Sequence, residues 1–134
     1  MAVQLNHHIV HARDPEASAR FLSDVLGLPA PTRFAHFHVV QAANGVSLDF
    51  LGTDDEKYLV PNHYAFLVSE TEFDEIFGRI QERQLEYYAD PGGQQPGEIN
   101  HHFGGRGVYW ADPDGHWLEI ITVPYGGWDG TEPL

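Results

Sequence analysis

The sequence predicts an α+β domain in which one strand–helix–strands unit occurs twice, and three observations predict it. Residues 6–14 (NHHIVHARD) recur in outline as residues 62–70 (NHYAFLVSE), pairing Asn6 with Asn62, His7 with His63 and Asp14 with Glu70. Residues 45–51 (GVSLDFL) are echoed by residues 115–121 (GHWLEII), placing Asp49 on Glu119. Each half also carries one amphipathic stretch of helical period between segments rich in Val, Ile, Phe and Tyr. Two such echoes in the same order are better explained by duplication than by chance.

The elements follow in order. Residues 4–12 form the first expected strand. Asp14 then caps a helix that Pro15 opens, with the acid Glu16 at the positive end of the dipole. Phe21, Leu22, Val25 and Leu26 make its apolar stripe, and Gly27 ends it. Strands near 34–43 and 46–52 complete the first module, about 4–52. The second module, about 61–123, opens with a strand at 61–69 and a helix whose stripe is Phe73, Ile76, Phe77 and Ile80. Strands near 86–89, 106–111 and 116–123 close it. A Gly- and Pro-punctuated loop spans roughly 90–105, and 124–134 is expected to be an irregular tail. The whole chain, 1–134, is thus expected to be a single domain.

Composition narrows the function. At 134 residues the chain is long enough to bury its own core. Twenty acidic against seven basic residues leave a formal charge of −13, which excludes a phosphate-tracking nucleic-acid surface and an anionic membrane surface. Without cysteine, thiolate metal sites and cysteine nucleophiles are excluded. Neither a membrane-length apolar run nor a secretory leader is evident, so a cytoplasmic location is expected.

Equivalent positions in duplicated strands point to equivalent faces. His7, His63, Asp49 and Glu119 are therefore candidates to converge as a nitrogen/oxygen donor set for a divalent metal. Of the adjacent His7 and His8, His7 is the expected ligand, because it aligns with His63 whereas His8 aligns with Tyr64.

The stretches LNHHIVHARDPEASARFLSDVLGL, NHYAFLV and VYWADPDGHWLEI together resemble the vicinal oxygen chelate superfamily, which includes glyoxalases, extradiol dioxygenases and fosfomycin or bleomycin resistance proteins. The resemblance covers about residues 4–123. It implies tandem βαβββ modules with a curved mixed sheet around a metal cleft. It also implies His7, His63 and Glu119 as metal ligands, with Asp49 where glyoxalase-like members carry a further carboxylate. Residues 99–119 also fit the signature associated with extradiol ring cleavage. By that likeness Tyr109 and either His101 or His102 stand beside the metal and are the candidate catalytic groups.

Ligand count separates the chemistries. Two histidines and one carboxylate leave three places on a six-coordinate ion, enough for a catecholate and dioxygen. Dioxygenase-like chemistry with Fe(II) or Mn(II) on a small oxygen-bearing, possibly catecholic or aromatic, substrate is therefore read first. If Asp49 also binds, a glyoxalase-type lyase or isomerase with Zn(II), Ni(II) or Co(II) fits better. A third reading is a metal-free protein that binds an aromatic or antibiotic ligand between Trp110, Trp117, Tyr64 and Phe37. Arg33 and Arg106 are the candidates for holding a phosphonate, too few to build a basic pocket. Homodimerisation is expected from the resemblance.

Overall fold

The computed structural model describes residues 3–125, which divide into two units: 3–61 with 112–115, and 62–111 with 116–125. In the first unit, β1 (His7–Ala12) is followed by α1 (Pro15–Leu26). The start of α1 follows from its cap: Asp14 is extended, and its side chain accepts from the Ala17 N–H. Its end follows from Gly27, whose φ of 71° is left-handed and lets the chain turn away. Replacing Asp14 by Ala is expected to cost about 1 kcal/mol of stability, read as a lower urea midpoint.

Three strands complete this unit: β2 (Thr32–Phe34), β3 (Phe37–Gln41) and β4 (Ser47–Gly52). The single strand expected near 34–43 is thus two, divided by a tight turn at Ala35 and His36 with Ala35 at φ 52°. The sheet order is β1-β4-β3-β2, with β1 parallel to β4 and the remaining pairs antiparallel. Val10, Ala12, Val40 and Phe50 are buried in the core together with Ala19, Leu22 and Val25 of α1. Burial thus marks one face of the sheet, and alternation puts His7, Ile9, Asp49, Val39 and Phe37 on the other.

The second unit repeats the plan with a difference. β5 (His63–Leu67) leads to α2 (Glu70–Glu82), which begins with a reciprocal capping box between Ser69 and Glu72. β6 (Gly107–Ala111) and β7 (Trp117–Ile121) complete a sheet of order β5-β7-β6. The strand expected at 86–89 is reduced to isolated bridges from Tyr88 to Pro96 and to Tyr109. Phe73, Ile76 and Ile80 of α2 are buried, as are Val108, Trp110, Leu118 and Ile120 of the sheet. His63, Tyr109, Trp117 and Glu119 occupy the opposite face of that sheet. Among the described residues, no helix is long and apolar enough to cross a membrane.

Candidate metal centre

Strand register carries the duplication into three dimensions. In the first unit His7 pairs with Ser47 and Ile9 with Asp49. In the second, His63 pairs with Trp117 and Ala65 with Glu119. Each sheet therefore bears a histidine and, one diagonal step away on the neighbouring parallel strand, an acid on the same face. By the same register His8 pairs with Leu48 and takes the face opposite to Asp49, whereas His7 shares that acid's face.

The second unit shows the donor chemistry most fully. His63 Nδ1 lies 2.9 Å from the Trp117 carbonyl, and Nε2 lies 3.1 Å from Glu119 Oε1. A carbonyl only accepts, so Nδ1 carries the proton and Nε2 is the nitrogen turned toward the carboxylate. Neutral imidazole would then present a lone pair to an anionic oxygen. A shared proton or a cation is what reconciles them, and these residues fit a divalent metal on that ground. Backbone orientation of a ligating histidine through its second nitrogen is the usual outer-sphere arrangement.

Glu119 is only 2% exposed, and its Oε1 also accepts from the hydroxyl of Tyr125 at 3.1 Å. Tyr109 lies directly across from Glu119 on β6 and packs its ring against His63 at 5.9 Å and Trp117 at 6.1 Å. Burial, and then its hydrogen bond to Glu119, push the Tyr109 phenol well above its ordinary range, so it remains a proton donor at neutral pH. Burial and the Glu119 charge push Tyr125 in the same direction.

In the first unit the 2.6 Å contact between His7 Nδ1 and Asn6 Oδ1 again leaves Nε2 as the free nitrogen. Asp49 Oδ1 accepts from Ser47 Oγ at 2.8 Å. His7 and Asp49 line a cavity of about 440 Å³ with Phe34, Phe37, Val39 and Arg33. The volume is in the range of small-molecule sites. Among the described residues, no group of three or more His, Asp or Glu side chains is gathered closely enough to hold a metal ion by itself. The pairs brought together are His63 with Glu119, and His7 with Asp49 along one sheet face.

The loop candidates separate. His102 lines a small cavity of about 20 Å³ with Glu119, Tyr125, Asn100, Phe103 and Arg106, whereas His101 is not among its walls. Phe103 and Gly104 are both left-handed here, at φ 56° and 79°. Gly105 packs so tightly that a Cβ would lie 2.6 Å from Thr122 Oγ1.

Several aromatic and basic candidates have other duties. Trp110 is fully buried and serves the core. Tyr64 faces away from His63 and accepts from Asn62 Nδ2. Phe37 and Trp117 do occupy the sheet faces that carry the acids. Arg106 is bonded to Glu70 Oε1 and Asp74 Oδ1, each at 2.8 Å, and lies 4.3 Å above the Phe73 ring. That engagement ties β6 to α2.

Sequence reasoning missed Tyr125, the Trp117 carbonyl and the Asn6 side chain. A backbone carbonyl leaves no mark in a sequence. Asn6 was visible in the repeat, but its counterpart Asn62 does something else, donating its N–H to His116 Nδ1 at 2.9 Å.

A twice-used unit that sets one histidine and one acid at matching register defines a class of two-module proteins. Comparison with known proteins agrees: the model of the Glyoxalase/Bleomycin resistance protein/Dioxygenase superfamily matches residues 4–120, and the chain belongs to that family. It is 31% identical over 133 residues to the metallothiol transferase FosB of Lysinibacillus sphaericus (strain C3-41), covering 91% of this chain and 84% of that protein. Among solved structures it is similar to the oxidase ChaP-H1, with 65% identity, a TM-score of 0.90, and coverage of 93% of this chain and 99% of that one. The oxidase ChaP-H2 matches with 58% identity and a TM-score of 0.90, over 94% and 98% of the two chains.

Proposed function

We propose that this protein is a metal-dependent oxidase of small, oxygen-bearing aromatic molecules, with dioxygenase-like chemistry. In this reading His63 and Glu119 of the second unit and His7 of the first hold one Fe(II) or Mn(II) ion, whichever copy of the chain supplies each half of the set. The carrying observation is the His63–Glu119 pair, in which one nitrogen is fixed by a backbone carbonyl and the other is aimed at a buried carboxylate. Repetition of the register by His7 and Asp49 supports it. Similarity at 65% identity to a protein named as an oxidase favours oxygen chemistry over the transferase chemistry of the 31% identical FosB.

When bound, the ion supplies a template for substrate and dioxygen and a route for electrons between them. The chain does the rest. Tyr109 presents a phenol that stays protonated and donates beside Glu119. His102, rather than His101, is the loop histidine positioned to meet a substrate oxygen. Asp49, whose Oδ1 is engaged by Ser47, orients a water or a substrate group and leaves a place on the metal free. Phe34 and Phe37 supply apolar wall for a flat ring. Homodimerisation belongs to the same proposal.

Oxygen uptake tests it. Full-length protein reconstituted anaerobically with Fe(II) is expected to consume dioxygen when given a panel of catechols and polyhydroxylated aromatics, and chelation should abolish the uptake. Methylglyoxal–thiol adduct turnover without oxygen uptake would instead support a glyoxalase-type lyase.

A further inference from the structure

We propose that Tyr125 is a positioning residue for Glu119, and that its hydroxyl sets how tightly the His63–Glu119 pair takes up a divalent cation. The inference rests on the reading of Glu119 as a metal ligand. Two groups reach the same oxygen, His63 Nε2 and the donating Tyr125 hydroxyl, each 3.1 Å from Oε1, and Tyr109 also bonds this carboxylate. A carboxylate oxygen has two in-plane acceptor directions, so the tyrosine takes one while the other faces the imidazole. Metal uptake has to replace the contact between His63 and Glu119. The tyrosine bond comes from a separate segment and is free to persist.

The placement is built by the chain beyond β7. Val123 and Tyr125 line one small cavity together with Glu119, Ile121, Phe103 and Asn100. The remaining space, about 20 Å³, is enough for a single water. Oε1 is therefore oriented by protein rather than by bulk solvent, with the Tyr125 hydroxyl fixing this oxygen beside the Tyr109 bond to the same carboxylate. Tyr109 is held by strand pairing across from Glu119, whereas Tyr125 lies outside the sheet, so its hydrogen bond is what ties the segment to the acid.

The probe is Mn(II), titrated into the metal-free full-length protein and followed by electron paramagnetic resonance. Tyr125→Phe is expected to weaken Mn(II) binding by about 10- to 100-fold, as for other outer-sphere partners. Its metal-free melting midpoint should stay within about 2 °C of wild type. Tyr125→Leu should weaken Mn(II) binding to a similar degree, because the hydroxyl and not the ring is the operative group. Binding by Tyr125→Phe within about twofold of a wild-type protein that does bind Mn(II) would overturn this inference alone. A fall of more than about 4 °C in the metal-free midpoint would make Tyr125 a stabilising contact and also overturn it. Absence of Mn(II) binding to wild type would remove the metal reading and this inference with it.

Discussion

His63→Ala is expected to empty the metal centre. Wild-type protein purified without chelators should retain about one transition-metal ion per chain, and the variant should lose most of it. Removal of an outer-sphere partner alone typically costs 10- to 100-fold in affinity, so deletion of a ligand should cost at least about 100-fold. The side chain is half exposed and lies on the edge strand of its sheet, so its removal opens no core cavity. Elemental analysis of both proteins, with circular dichroism as the folding control, measures the effect. Near-zero metal in both after reconstitution would favour the metal-free ligand-binding reading instead.

Phe73→Ala is expected to give the largest stability loss, about 3–5 kcal/mol. The ring is fully buried in α2, touches Phe77 at 5.8 Å, and carries the Arg106 guanidinium 4.3 Å above its centre. Truncation thus opens a cavity and also removes a cation–π contact of about 0.5–1 kcal/mol. Urea denaturation measures the loss. Arg106 anchors the start of β6, so the same variant should also loosen the loop that carries His102, visible as faster amide hydrogen exchange over residues 100–106. A stability loss below about 1 kcal/mol would mean that the ring is not a core element.

Periodicity and punctuation made the helices legible. Asp14, Pro15 and Gly27 bracket α1 through local chemistry, and Phe73, Ile76 and Ile80 define a buried stripe that tertiary contacts do not override. The strand near 86–89 was less legible, because Tyr87 and Tyr88 have strand composition while the loop that follows limits their pairing to isolated bridges. The turn at Ala35 was hidden because alanine rarely adopts a positive φ and carries no turn signal. At the site, the repeat pointed to His7, His63, Asp49 and Glu119, and register placed each histidine and its acid on a common face. The orienting groups were not legible. Its glycines predict an irregular tail, yet Tyr125 reaches Glu119; Gly126, Gly127 and Gly130 lie outside the described residues.

The acid excess of the chain has a long-range consequence. Arg13, Arg20, Lys57, Arg79 and Arg106 each pair with a neighbouring carboxylate, and thirteen negative charges remain in excess of all seven basic residues. The resulting potential concentrates divalent cations near the protein and repels dianionic solutes. Dilute buffer, in which the Debye length is about 30 Å, lets that field extend well into solution. At physiological ionic strength it shrinks to about 8 Å, and capture of the metal comes to depend on the close-range geometry of imidazole and carboxylate.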